Sequence, residues 1–179
     1  MGKLLLKIEK IHEEIKETIE IDQYIPIKIK WGKWDLCSEN TFYWRTGDFK
    51  KSLIEVGIAS KSGLIRSVTL VHSDYISFEQ MENDLTNTVE HGAPMFLINS
   101  VEEKTRLDEQ GMLRVNYSSC TLGIILSSNP IVKKVINGRV VFELDNCSNV
   151  CRITITNLTT NEDIQIRDTL NFISKQNKF

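Results

Sequence analysis

Two runs of β-branched and aliphatic residues, separated by four polar ones, constrain this chain more than any other stretch. Residues 52–59 read SLIEVGIA, residues 60–63 SKSG and residues 64–72 LIRSVTLVH. Val, Ile and Thr fill a pleated surface better than a helix, because branching at Cβ stiffens the side chain against the preceding helical turn. The pattern predicts a β-hairpin with a loop of three to five residues. Gly63 suits the end of that loop, where a left-handed backbone is needed and glycine takes it without steric cost. Leu53, Ile54, Val56 and Ile58 on one arm, and Ile65, Val68, Leu70 and Val71 on the other, do not strictly alternate with polar residues. Such arms belong inside a sheet, so the hairpin is expected at its middle.

The second half repeats the theme. Leu113, Val115 and Tyr117 alternate, and residues 122–126 form a buried run. In residues 131–144, IVKKVINGRVVFEL, the Asn137-Gly138 pair between two β-rich arms is a strong hairpin signal, since both residues tolerate positive φ. Residues 145–149 turn again and residues 150–156, VCRITIT, close the meander. The segments EVGIASKSGLIRSVTL and FELDNCSNVCRITI share one plan, strand, polar turn, then a strand carrying Arg and Thr. They are read either as an internal duplication or as the ordinary likeness of two antiparallel hairpins.

The first half is more varied. Leu4, Ile8, Ile11, Ile15 and Ile19 recur at spacings of three and four, which predicts a helix over residues 3–20. A strand over residues 4–8 is the rival, explaining three of those positions. From residue 25 the period becomes two, with Ile25, Ile27, Ile29 and Trp31 on one face. Residues 41–45, TFYWR, read as a short strand. Ser77 with Gln80 opens either a helix carrying Phe78, Met81, Leu85 and Val89 or a loop. Gly92 and Pro94 end that stretch and mark the best internal boundary. Residues 95–98 read as a strand and residues 101–110 as a charged connection. Thr160 with Asp163 opens a C-terminal helix with Ile166, Leu170 and Ile173 on one face. The expected fold is α+β, a single domain over residues 1–179. Its sheet is mainly antiparallel, with about seven to nine strands built of hairpins, an N-terminal and a C-terminal helix, and two possible sub-sheets at 1–92 and 93–179.

Composition narrows the function classes. A chain of 179 residues with 41% hydrophobic residues supports an ordinary core. Its net charge of −2 argues against a general nucleic-acid binder. No apolar run approaches a membrane span, and the three leucines at residues 4–6 fall short of an export signal. The cytoplasm, with reduced thiols, is the expected compartment.

The motifs that carry chemistry are thin. Cys147 and Cys151 lie four apart with no second pair near them, which does not make a zinc set. His72, Ser73 and Asp74 bring three triad residue types together, but neighbours on a strand point to opposite faces, so a strand end followed by a turn is the reading preferred. No phosphate-cradling glycine loop occurs. No catalytic residue, metal ligand or cofactor is therefore assigned, and the chain is expected not to be an enzyme. One patch mixes aromatic and basic side chains: Lys28, Lys30, Trp31, Lys33 and Trp34, then Tyr43, Trp44 and Arg45. It reads as core, as a protein contact or as a stacking platform for single strands. As a protein contact its anchors would be Trp34 and Trp44 with Arg45 beside them, because Trp and Arg dominate interface energetics.

Residues 56–71, VGIASKSGLIRSVTLV, followed by GRVVFELDNCSNVCRITITNLTTNEDI at 138–164, resemble small Gram-positive proteins similar to immunity proteins of polymorphic and contact-dependent toxin systems. The resemblance covers about a quarter of the chain, on turn glycines and strand positions. It implies a cytoplasmic protein that binds a cognate toxin domain and blocks it sterically, with no nucleic-acid or membrane partner. The alternative is a small-ligand or regulatory module with a cleft between two half-sheets.

Overall fold

The computed structural model describes residues 6–33, 39–82, 88–98 and 105–177. Among them are fifteen strands and one helix. The first sheet orders six strands as β10 (Arg106–Gln110), β4 (Thr41–Gly47), β5 (Ser52–Ala59), β6 (Ile65–Ser73), β3 (Ile27–Trp31) and β2 (Glu17–Glu20). The second orders seven: β7 (Ile76–Ser77), β11 (Arg114–Ser118), β12 (Thr121–Ile125), β15 (Val150–Ile155), β14 (Val140–Leu144), β13 (Lys133–Asn137) and β8 (Val89–His91). Pairing is antiparallel except at three sheet edges, where β10, β7 and β8 each add in parallel. The hairpin over residues 52–72 forms as expected and holds the middle of the first sheet. Gly63 has a φ of 76°.

A third pair, β1 (Ile8–His12) with β9 (Ala93–Phe96), ties the two sheets together. The Phe96 N–H donates to the Gly63 carbonyl at 2.7 Å on the first sheet. The Ile8 N–H donates to Ser148 O at 3.0 Å, and the Gly92 N–H to Ile136 O at 2.9 Å, on the second. Strands are also exchanged across the boundary expected at residues 92–94: β10 joins the first sheet, and β7 and β8 join the second.

The inner faces pack on each other. Ile27, Ile29, Trp31, Trp44, Ile54, Val56, Val68 and Leu70 meet Val115, Leu122, Ile124, Phe142, Ile153 and Ile155 in one buried cluster. Trp31 of the first sheet lies 6.1 Å from Phe142 of the second, ring centre to ring centre, and Phe96 of the ribbon stands edge-on to the same ring.

One helix expectation fails and one succeeds. Residues 8–12 and 17–20 are strands, so the N-terminal helix is absent and the class is a mostly β fold with one C-terminal helix. The cause is visible in β1. Ile8 pairs with Phe96 and Lys10 with Met95, so one extra residue bulges between them. A bulge shifts the alternation by one. It returns Ile11 to the face of Ile8 at a spacing of three, which imitates a helix. The C-terminal helix α1 (Thr160–Gln176) is present, capped one residue earlier than expected. The Glu162 N–H donates to Thr159 Oγ1 at 3.2 Å, and the Thr159 N–H to Glu162 Oε2 at 2.9 Å. Ile166 and Leu170 are buried, whereas Ile173 is only half-buried. Residues 78–82 are irregular and Val89 opens β8, so the loop reading holds for the described part of that stretch. No helix among the described residues is long and apolar enough to cross a membrane.

Candidate functional site

Strand parity sorts the aromatic and basic patch into two populations. Along β4, Phe42 and Trp44 turn inward, and Tyr43 and Arg45 turn outward. Trp44 is 4% exposed, and its indole N–H donates to Glu109 Oε2 at 2.9 Å. Trp31 is likewise buried, at the inward end of β3. Both are core residues, so Arg45 is the member of the Trp44–Arg45 pair that faces outward. Trp34 lies outside the described residues.

The outward face of the first sheet carries two rows of side chains set by its register. One row runs Asp108, Arg45, Glu55, Thr69, Lys28 and Glu20, one residue from each of β10, β4, β5, β6, β3 and β2. The row beside it runs Arg106, Tyr43, Gly57, Ser67, Lys30 and Thr18. Residues directly opposite on neighbouring strands lie within side-chain reach, so each row is a line of contacts. At Gly57 a Cβ would overlap Ser67 Oγ and touch the Tyr43 ring, so glycine lets the tyrosine lie close over the sheet.

The ends of the charged row are satisfied internally. The Arg45 guanidinium donates to both Asp108 oxygens, each at 2.8 Å. That bidentate contact holds the Asp108 carboxyl below its usual range. Arg106 Nε lies 3.3 Å from the same carboxylate. At the other end Lys30 Nζ lies 3.1 Å from Glu20 Oε1. The centre is not satisfied. Thr69 is 6% exposed and its hydroxyl has no hydrogen-bond partner among the described residues. Glu55 and Lys28 flank it on the neighbouring strands, and neither side chain makes a hydrogen bond or ion pair among the described residues. Glu55 is left with a longer-range attraction to Arg45. A buried hydroxyl without a partner is uncommon and costs stability; since Thr69 Oγ1 is itself shielded from solvent, the groups at the centre that a second molecule can meet are Glu55 and Lys28.

The second sheet's outward face is resolved differently. Glu143, buried on β14, accepts from Arg152 Nη2 at 2.8 Å and Thr154 Oγ1 at 2.7 Å, with Lys134 Nζ at 3.3 Å. Met81 sits over Gly123 on that face, where a Cβ would overlap its sulfur. The charges of that cluster are paired within the chain.

The other sequence candidates do not converge. His72 Nε2 lies 2.7 Å from Asp74 Oδ1, but Ser73 points away, buried, with Oγ accepting from the Tyr75 N–H at 3.3 Å. Cys147 sits exposed in the turn after β14, and Cys151 is buried in β15 with its thiol toward Asn149 O at 3.6 Å. Cys37 lies outside the described residues. Among the described residues no cluster of His, Cys, Asp and Glu is arranged to hold a metal ion. The parallel edge strand β10, which supplies Asp108 and Arg106, was read from sequence as a connection. Its exposure alternates in the structure, but with Leu107 as the one apolar residue RLDEQ carries no period-two pattern in the sequence.

No protein-family model matches this chain, and no curated protein aligns with it.

Proposed function

We propose that the chain is an immunity-type inhibitor, which binds a bacterial toxin domain and blocks it by occupying its surface, without turnover. The observation that carries the reading is the unsatisfied centre of the first sheet's outward face. There Glu55 and Lys28 present an acid and a base on either side of Thr69, between ends that are already paired. Polar groups so placed gain from a partner and fix its register. Arg45 belongs to this face, Trp44 serves the core, and Trp34, which lies outside the described residues, is retained as an anchor on residue type alone. The reading needs no catalytic group, cofactor, metal, nucleic acid or membrane, and places the protein in the cytoplasm with its toxin. The alternative, a ligand module with a cleft between the sheets, is less well supported, because Trp31, Phe142 and their neighbours fill that space.

Co-expression tests the proposal. A toxin encoded beside this chain's gene is expressed in a sensitive host with and without the chain. Restored growth is expected with the wild type, and lost protection with the Lys28→Glu/Glu55→Lys variant produced at equal level. A wild-type chain that gives no protection contradicts it.

A further inference from the structure

Tyr24, 80% exposed, and Phe172, 59% exposed, are the two most exposed large apolar side chains among the described residues. They line one cleft of about 380 Å³ with Gln23, Asp168 and Thr169. Apolar residues scattered singly over a surface are ordinary, but two aromatic rings on one cleft make a patch. Each wall is held by its own element. Asp22 Oδ1 accepts the Tyr24 N–H at 2.7 Å, and the Asp22 N–H donates to Ile25 O at 3.2 Å, so the turn between β2 and β3 fixes where the tyrosine leaves the backbone. Asp168 and Phe172 lie four apart on α1, which sets them one above the other on one helix face. Thr169 and Leu170 between them are buried and seat the helix on the core.

The charge of the cleft comes from Asp168. Its carboxylate makes no hydrogen bond or ion pair among the described residues. Arg167 beside it is engaged one turn back, with Nη2 3.0 Å from Asp163 Oδ2. The other described lining residues are neutral, so the cleft offers two aromatic faces and one acceptor-only group with both oxygens open. Ring faces attract cations. A guanidinium uses every part of such a site: it is weakly hydrated, stacks flat on a ring and donates two parallel N–H groups to a carboxylate. A lysine ammonium is strongly hydrated and cannot stack. A quaternary ammonium meets the rings but has no N–H for Asp168, and a neutral ligand leaves that charge uncompensated.

We propose that the cleft lined by Tyr24 and Phe172 receives an arginine side chain of a partner protein, its guanidinium bonded to Asp168 and stacked on the aromatic wall. This adds a contact to the inhibitor reading without depending on it.

The probe is the end-blocked peptide Gly-Arg-Gly, compared with its lysine and citrulline counterparts. Citrulline keeps the shape of arginine and removes the charge. Each peptide is titrated into the full chain labelled with nitrogen-15, and amide shifts are followed by NMR. The expected result is a saturable response at residues 22–25 and 165–173, with a midpoint of about 1–10 mM for arginine and at least about 5-fold weaker for lysine and citrulline. Asp168→Asn and Tyr24→Ala should each weaken the arginine peptide by about 5-fold or more, whereas Tyr24→Phe, which keeps the ring face, should stay within about 2-fold. All three substitutions are at exposed positions, and melting transitions verify that the variants fold. Equal responses to the three peptides overturn the proposal. So does tetramethylammonium chloride that saturates these residues at a lower concentration than the arginine peptide, or an arginine response that Asp168→Asn leaves unchanged. No toxin enters the titration, so its failure leaves the inhibitor reading standing, and a toxin that fails to bind leaves the arginine site standing.

Discussion

The Asn137 side chain holds Ile15 by both sides of its peptide backbone: Nδ2 donates to Ile15 O at 2.9 Å, and the Ile15 N–H donates to Oδ1 at 2.9 Å. Asn137 ends β13 and is fully buried, and Ile15 lies between β1 and β2. The amide thus replaces the backbone pairing that Ile15 lacks between strands. The adjoining turn reinforces the join, because Arg139 Nη1 donates to Glu162 Oε2 at 2.7 Å and the Arg139 N–H to Glu17 Oε1 at 3.2 Å. Asn137→Ala removes two hydrogen bonds and strands two part-buried peptide groups, a loss of about 2–3 kcal/mol. Urea denaturation should show a lower midpoint with an unchanged slope. A shift worth less than about 0.5 kcal/mol contradicts the assignment.

Gly63 and Gly32 form a matched pair. Their φ values are 76° and 73°, but a Cβ at Gly63 would overlap the Phe96 carbonyl oxygen, whereas one at Gly32 meets nothing within 4 Å. Alanine at either position bears the left-handed strain of about 1 kcal/mol. At Gly63 it also pushes the ribbon strand β9 off the hairpin. Gly63→Ala should therefore lose at least about 1–2 kcal/mol more than Gly32→Ala, measured as the difference in denaturation midpoints. Equal losses would remove the close approach from the account.

Glu143 predicts an acid limb of stability. Burial acts to raise its carboxyl, but hydrogen bonds from Arg152 and Thr154, with the charges of Arg152 and Lys134, outweigh burial and leave it below the usual glutamate range. A carboxyl depressed in the folded state stabilises above its unfolded value of about 4.3, and that stabilisation is lost as pH falls through the lower folded value. Glu143→Gln should cost about 2–4 kcal/mol at neutral pH, since Arg152 and Lys134 lose this carboxylate. The gap to wild type should narrow below about pH 4. A gap that is constant with pH contradicts the ion cluster. Asp48 supplies an independent reading by NMR titration. Backbone N–H groups of Lys51, Lys50 and Ser52 converge on its Oδ1, and its midpoint is expected at about 2.

Neighbours on β4 separate fold from surface. Trp44→Ala empties a core position and should cost about 3–5 kcal/mol. Arg45→Ala breaks a partly exposed ion pair with Asp108 and should cost no more than about 1 kcal/mol. Thermal melts of the two variants check this, and similar losses would mean that the parity of β4 is misread.

The sequence made the hairpins legible because their information is local. Alternation, a turn glycine and β-branched arms place β5–β6 and β13–β14, although at the second turn Gly138, with a φ of 60°, leads the two-residue loop and Asn137 pairs with Val140 inside the ladder. What misled was periodicity altered by non-local structure. Ile8 and Ile11 share a face through a bulge that exists only against β9, some 85 residues further on. The face proposed as the site was half visible: Lys28, Lys30, Tyr43 and Arg45 stood in the basic and aromatic patch. Glu55, Thr69 and Asp108 join them only through strand register, which no local pattern encodes. Trp44 looked like an anchor by residue type, and its burial follows from the parity of β4 against a second sheet that the sequence suggested only as a possible sub-sheet beyond residue 92 and whose edge strands it did not assign.

The central claim is that the outward face of the first sheet binds a toxin domain while the inward face holds the fold. Calorimetric titration against the toxin encoded beside this chain's gene tests it most directly, using wild type and the Lys28→Glu/Glu55→Lys variant at matched melting temperature. The account predicts saturable one-to-one binding by the wild type, weakened about 30-fold or more in the variant, which is the scale of an interface hot spot of about 2 kcal/mol. Equal affinity of the two folded proteins, or no binding by the wild type, contradicts it.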